Sequence, residues 1–348
     1  MKIVIPVMDF GRAGGERVLS NLANELIDKG HDVTFVKPNN GSKPYYPTNA
    51  KIKLSKFLVN GNKLTRYITN LYNLVIECRL VKADVVIANY FITAYVAFLM
   101  PKKVLKLYYV QANEIKLNRR WMFKILALIT YILPLKKIVN SESILPKYTP
   151  NIIGVVPAGI DIQKYRSDTL PKEFKGESKF KIGLIGRQEK HKGTKEIISI
   201  LHLLPEDVKS HLGVNIAVYL PENEKSLLWD YKFYKIDSED DLRGFYKECD
   251  LILAIGLIEN GAFHYPCAEA MATKRLVISN YSPLVNTNSK LAIDNFDSDI
   301  ILEKLIEALS FSSEDIHKEV EDNFKMTLPY AWSTVAEKFD GLIHRNIK

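Results

Sequence analysis

The chain has 348 residues, 47% of them hydrophobic and 25% charged, with a formal net charge of +8. Such a composition suits a globular protein able to bury one large core or two. No run of about 18 uncharged apolar residues occurs, which argues against a membrane-spanning helix, and the apolar run at the N-terminus is too short for a signal peptide. Three scattered cysteines, Cys78, Cys249 and Cys267, form neither a zinc spacing nor a disulfide framework and suit a reducing compartment. The charge is unevenly divided. Residues 1–150 hold 23 Lys and Arg against 9 Asp and Glu, a balance of +14, and residues 151–348 hold 25 against 31, a balance of −6. The basic half therefore suits an anionic partner, a nucleic acid or an anionic membrane surface, unless its face is simply solvated.

In chain order, residues 2–7 read as a strand that enters a glycine turn, Phe10-Gly11-Arg12-Ala13-Gly14-Gly15. Residues 16–29 form a helix with Val18, Leu19, Leu22, Ala23 and Leu26 on one face; Gly30 stops it, and 31–36 is the next strand. Residues 64–82 read as an amphipathic helix, 84–88 and 103–110 as strands, 121–133 as a helix ended by Pro134, and 137–140 as a short strand. A charged connection over 166–179 leads to strands at 180–185, 214–220, 251–254 and 276–279. Helices at 195–204, 240–249 and after Pro266 alternate with them, and a last helix covers 332–347. This alternation predicts α/β architecture with parallel, doubly wound sheets. Two such units meeting near 157–164 make two Rossmann-like lobes, with ligands at the carboxyl ends of strands, in a cleft between the lobes.

Three loops carry chemistry. The glycine turn lets the backbone approach a ligand closely. It is not a GxGxxG fingerprint, and no acidic residue ends the second strand, so a nicotinamide cofactor is not expected. After strand 180–185 comes Gly186-Arg187-Gln188-Glu189-Lys190-His191-Lys192-Gly193. Arg187 supplies a forked donor and Lys192 a point charge, both suited to a diphosphate; the bland alternative is an exposed basic turn. The third loop, residues 259–269, ends in a helix that starts at Pro266, where proline needs no amide donor. The free amides of that first turn favour an anion, and Glu269, one turn in, can accept hydrogen bonds from hydroxyls of whatever carries the phosphate. Cys267 reads as a small packed residue. The seven histidines lack metal-ligand spacing, and neither GxSxG nor a Cys-His pattern is present.

These loops resemble those of retaining glycosyltransferases of family 4, which have the GT-B fold. GGERVLSNLANELIDKGHDVTFV (14–36) resembles the family's opening, Gly186-Arg187 with Lys192-Gly193 its GR…KG motif, Val155-Val156-Pro157-Ala158-Gly159-Ile160-Asp161 its interlobe loop, and GAFHYPCAEAMATKRLVISN (261–280) its donor-sugar loop. The resemblance implies an acceptor-side domain at 1–157, a nucleotide-sugar domain at 158–330 and a terminal helix, 331–348, that crosses back to the first. It implies Arg187, Lys192 and Glu259 as catalytic residues. It implies donor contacts from Gly14, Gly15, Gly186, Phe263, His264, Tyr265, Pro266 and Glu269, with amides near the glycine pair and 263–265 on the diphosphate and Glu269 on the ribose. Family members of this kind need no metal ion. The family usually has two glutamates separated by seven residues; here Gly261 stands at the first, and Glu259 lies two residues earlier, which alters the pattern. His264 and Tyr265 replace small and apolar family residues. They give the loop a rhamnosyltransferase-like flavour, as does Tyr108-Tyr109-Val110-Gln111-Ala112-Asn113-Glu114, where Gln111 and Glu114 are acceptor candidates.

The resemblance implies transfer of a sugar from a UDP or dTDP donor, dTDP-rhamnose favoured, to a saccharide or lipid-linked saccharide in bacterial surface polysaccharide synthesis. A binding protein with a GT-B-like fold and lost catalysis is the competing class. The basic half is expected on the inner face of the plasma membrane of a cytoplasmic enzyme. Lys116, Arg119, Arg120, Lys124, Lys136 and Lys137 flank Trp121, Met122 and Phe123 there. Phe123, Leu126, Ala127 and Ile129 are expected to pack inward, leaving the charges and Trp121 for lipid. No nucleic-acid motif accompanies the charge.

Overall fold

The computed structural model describes residues 1–11, 14–142, 144–174, 178–258 and 260–347, apart from the side chain of Leu227. The chain divides into two compact units, Met1–Gly159 with Trp332–Lys348, and Ile160–Ala331.

The first unit opens with β1 (Lys2–Pro6), α1 (Gly14–Asp28), β2 (Asp32–Pro38) and β3 (Lys51–Ser55). It continues through α2 (Lys63–Leu80), β4 (Val85–Ala88), α3 (Phe91–Phe98), β5 (Leu105–Val110), α4 (Glu114–Leu117), α5 (Trp121–Ile132), β6 (Lys136–Val139) and β7 (Ile152–Val155). The seven strands pair in parallel in the order β3-β2-β1-β4-β5-β6-β7. A parallel sheet covered on both faces reads as continuous apolar runs: Ile3–Ile5 and all of β4 are buried. Helix α1 buries the five apolar residues expected of it. Helix α2 is capped by Asn62, whose side chain accepts from the Thr65 amide at 2.8 Å. The edge strand β3 and the short α3 lie in stretches where the sequence pattern predicts no element.

Helix α5 runs where predicted, but its packing differs from the expectation. Ala127 is buried and Phe123 and Leu126 are half-buried, whereas Ile129 is exposed beside Met122, Ile125 and Ile132, and Trp121 is 74% exposed. A 12-residue helix turns only one stripe inward, here Ala127, Thr130 and Tyr131.

The second unit contains α6 (Ile162–Tyr165), β8 (Phe180–Ile185), a 3-10 turn (Lys190–Lys192), α7 (Thr194–His202), α8 (Glu206–Ser210), β9 (Leu212–Ala217) and β10 (Tyr231–Tyr234). It is completed by α9 (Glu239–Lys247), β11 (Leu251–Ala254), α10 (Tyr265–Ala272), β12 (Leu276–Ser279), α11 (Ser298–Leu309) and α12 (Ser313–Lys325). Its five strands pair in parallel as β10-β9-β8-β11-β12. Ile182, Leu184, Val214, Leu253 and Ile278 pack with Ile197, Leu201, Ile301 and Leu305 on one face; Ile252 and Val277 pack with Phe245, Tyr246 and Met271 on the other. Truncating such a leucine to alanine costs about 2–5 kcal/mol. The final helix, α13 (Trp332–Asn346), belongs to the first unit, where Asp340 meets His31 at 2.8 Å and Phe339 packs edge-on against Tyr109.

Both sheets are doubly wound, as expected. In each, the strand order reverses once beside the first strand, between β1 and β4 and between β8 and β11. Such reversals open crevices at the carboxyl ends of the strands.

Candidate functional site

The reversal point of the second unit collects most of the residues singled out from the sequence. Gly186 follows β8 where a Cβ would fall 1.7 Å from the Tyr219 carbonyl oxygen, so no other residue fits without moving the backbone. The next peptide is clamped by Thr194. The Arg187 amide donates to Thr194 Oγ1 at 2.8 Å, and that hydroxyl donates to the Arg187 carbonyl at 3.0 Å. Gly193 closes the 3-10 turn at φ +70° and starts α7. The turn is tied to the loop after β11, where the Leu257 amide donates to the His191 carbonyl at 3.0 Å.

Asn280, just beyond β12, holds the loop after β11. Its Oδ1 accepts from the Gly256 amide at 3.0 Å, and its Nδ2 donates to the Gly256 carbonyl at 2.7 Å and to Asn260 Oδ1 at 2.8 Å. Tyr281 donates to the Ile258 carbonyl at 3.1 Å and lies so close to Gly256 that a Cβ there would be 2.0 Å from its hydroxyl. Asn280, Tyr281, Thr194 and Gly256 are absent from the sequence-based candidates. Their available signal was position, at the carboxyl ends of predicted strands or the start of the helix that follows.

Charge and aromatic rings meet here. Lys192 Nζ lies 5.7 Å from the centre of the Tyr281 ring, and the His264 ring packs on Tyr281 with centroids 4.3 Å apart and planes 30° apart. Burial first, then the charges of Lys192 and Arg187, hold His264 well below the ordinary histidine value. His264 Nδ1 is buried with no hydrogen-bond partner among the described residues. The His264 amide was expected on an anion. It instead donates to the Ser282 carbonyl at 3.0 Å, so His264 offers its ring and not its amide. Phe263 stacks on Tyr330 at 5.6 Å and meets Tyr265 edge-on at 5.2 Å, while Pro266 is buried in the first turn of α10. Two cations, a neutral imidazole and a helix start thus lie at one end of the sheet. That combination can hold an anion and spread the charge that develops on a departing one.

Glu269, expected on the ribose, is enclosed within its own unit. It is 1% exposed, and its oxygens accept from the Tyr165 hydroxyl at 3.0 Å and the Tyr246 hydroxyl at 2.9 Å. Every α10 residue from Pro266 to Ala272 is buried, so Glu269, one turn into this helix, is enclosed by packed neighbours. Cys267 is likewise buried, and burial pushes its thiol up to about 11. Glu259 lies outside the described residues. Gly261, at the place of the family's first glutamate, has φ +75° and open space where a Cβ would be.

In the first unit, Gly14 and Gly15 open α1, and a Cβ on Gly15 would lie 3.5 Å from Gln111 Oε1, so Gly15 and Gln111 are neighbours. Glu114 is not an open acceptor contact. It is 4% exposed, accepts from the Phe91 amide at 2.7 Å and the Tyr108 hydroxyl at 2.8 Å, and donates its own amide to the Tyr131 hydroxyl at 2.8 Å. It thereby satisfies the start of α3. Burial pushes its carboxyl up to about 7, against the opposing effect of those two donors.

Residues 12–164 match the family model described as Glycosyltransferase Family 4. Comparison by sequence with curated proteins finds no match. Among solved structures, sucrose-phosphate synthase from Thermosynechococcus elongatus is similar with a TM-score of 0.76 at 13% identity, over 99% of this chain and 98% of that one. Anabaena HepE in complex with UDP and glucose is similar with a TM-score of 0.74 at 12% identity, over 99% and 100%. WaaG, a glycosyltransferase involved in lipopolysaccharide biosynthesis, is similar with a TM-score of 0.71 at 16% identity, over 98% and 99%. Along its whole length, then, the chain has the GT-B fold of glycosyltransferases, and over residues 12–164 it is similar to Glycosyltransferase Family 4.

Proposed function

We propose that the protein is a retaining, metal-independent glycosyltransferase that moves a sugar from a nucleotide diphosphate. The observation that carries this reading is the grouping of Arg187, Lys192 and His264 at the strand reversal of the second unit. Arg187 and Lys192 stabilise the diphosphate as the bond from the anomeric carbon to the phosphate oxygen breaks, the role a metal ion fills elsewhere. The acceptor oxygen attacks from the same face, without an enzyme nucleophile. The donor is a UDP or dTDP sugar, dTDP-rhamnose favoured. The crystallised HepE complexes with UDP and with UDP-glucose support a uridine nucleotide, and the Phe263-His264-Tyr265 variation supports the rhamnose reading. A thermal-shift panel of UDP, dTDP and GDP tests the nucleotide, and transfer from the matching sugar donors tests the reaction. Stabilisation by GDP alone overturns the donor choice, and absence of both binding and transfer overturns the function.

The acceptor is a saccharide or lipid-linked saccharide, presented at an anionic membrane surface on the cytoplasmic side during bacterial surface polysaccharide synthesis. Among the described residues no helix is long and apolar enough to cross a membrane. Support for surface attachment comes from the +14 balance of residues 1–150 and from the exposed Trp121, Met122, Ile125 and Ile132 beside Arg119, Arg120 and Lys124.

A second reading is a nucleotide-sugar or saccharide binding protein without catalysis. Glu269 held by two tyrosines and the glycine at position 261 favour it. Donor binding without transfer or hydrolysis across many acceptors decides for this reading.

A further inference from the structure

We propose that His264 couples proton uptake to the binding of a nucleoside diphosphate at Arg187 and Lys192. The proposal rests on the donor-site reading above and adds a titrating partner to it.

The geometry is specific. The His264 backbone is fixed by the bond from its amide to the Ser282 carbonyl and by its place as the N-terminal cap of α10. Its ring is held at 4.3 Å against Tyr281, whose hydroxyl is in turn anchored on the Ile258 carbonyl. Lys192 reaches the same tyrosine ring. Among the described residues, the titratable and charged groups that face the imidazole are Lys192 from the 3-10 turn, Arg187 from the end of β8 and Tyr281 from the end of β12. Two of these are cations, and neither favours an imidazolium. Burial first, then these two cations, keep the ring neutral, with its Nδ1 buried and without a partner among the described residues. An unpaired lone pair is the cheaper orphan than an unpaired N–H, so the neutral ring carries its proton on Nε2.

A diphosphate on Arg187 and Lys192 counters the second and third of these causes, though not burial. Its negative charge offsets the two cations that disfavour the imidazolium and adds an attraction of opposite sign. The imidazole then takes a proton from hydronium: an N–H bond forms on the ring as the O–H bond of the hydronium breaks, and no other covalent bond changes. Between the midpoint of the empty site and the higher midpoint of the filled one, binding consumes a proton. Affinity accordingly falls as pH rises through that window and is level outside it. The device would favour donor capture at lower pH and release of the nucleoside diphosphate product at higher pH.

Isothermal titration of UDP into the full chain near pH 7, in buffers of low and high ionisation enthalpy, reads the protons taken up per UDP bound. The phosphate has its own titration, so the comparison is between the wild type and His264→Gln. The wild type is expected to take up more, and its UDP affinity is expected to weaken relative to the variant by up to about tenfold per pH unit between the free and the bound midpoint of the ring. Equal uptake in the two chains, with binding retained, overturns the inference and leaves the donor-site reading standing. Failure of UDP, dTDP and GDP to bind the wild type overturns both. Should the variant not fold, histidine-labelled wild type supplies the second measurement by NMR. The ring that stays neutral in the free chain must raise its titration midpoint when UDP is added, and an unmoved midpoint refutes the coupling.

Discussion

In the first unit the strand order reverses between β1 and β4, in the second between β8 and β11, and the two reversals end in opposite chemistry. Beside the first, the ionisable group singled out from the sequence, Glu114, is buried and spends its oxygens on the start of α3 and on Tyr108. Beside the second, Arg187 and Lys192 stand on a loop clamped by Thr194 and tied to the loop after the neighbouring strand. Topology supplies a crevice, and the local hydrogen bonds decide what faces it. A carboxylate whose oxygens already accept from backbone amides or tyrosine hydroxyls has a structural task in the fold, however suggestive its place in the sequence. Glu269 makes the same point within the second unit.

The largest expected effect breaks the loop side of the comparison. Arg187→Ala and Lys192→Ala should each slow sugar transfer by about 10²–10³-fold, as loss of one preorganised charge donor does, while the chain keeps its denaturation midpoint. Transfer at the native rate by both variants would refute the assignment of the diphosphate site. The buried side should respond in the opposite way. Glu269→Ala strands the Tyr165 and Tyr246 hydroxyls and opens a cavity, so stability should fall by about 3 kcal/mol in urea denaturation. A stable variant that has lost only nucleotide binding would return Glu269 to the ligand.

The third test uses pH. The Glu114 carboxyl is raised by burial to about 7 in the folded chain, above the ordinary glutamate value of 4.5, so the folded state holds the proton more tightly than the unfolded one. Stability should therefore decline as pH rises from about 4.5 to 7 and level off above, by roughly 3 kcal/mol in all. Glu114→Gln should flatten that decline in urea titrations run across the range. A variant with the wild-type pH profile would show that another group is responsible. The smallest effect per residue concerns the basic half. Wild-type chain should co-sediment with anionic vesicles and not with neutral ones, and each of Arg119→Glu, Arg120→Glu and Lys124→Glu should weaken binding by about 1 kcal/mol or more. Equal recovery with the two kinds of vesicle would remove the membrane from the proposed function.

Much of the fold was legible. Strands β8, β11 and β12 have the limits read from their apolar runs, and α1 buries the stripe its spacing predicts, because strand and helix periods write directly into the sequence. What was missed has identifiable causes. Strand β3 alternates lysine with Ile52 and Leu54, and all four of its first residues are exposed, so no buried face marks it. Helix α3 is apolar nearly all round and eight residues long, which periodicity cannot tell from a strand. Helices α11 and α12 did carry readable signals, the cap at Asp297 and the capping box from Ser312 to Asp315, followed by apolar residues at helical spacing.

By itself the sequence determined the alternation of strands and helices, the glycine turns, and the two basic residues after β8, because each depends on neighbours a few positions away. Only the tertiary structure decided which polar groups remain available. Tyr165, Tyr246 and Glu269 lie up to 104 positions apart in the chain, as do Tyr108, Phe91 and Glu114 at shorter range, and their hydrogen bonds exist only once the helices pack. A buried carboxylate must find donors wherever packing brings them, and spacing along the chain carries no record of that search.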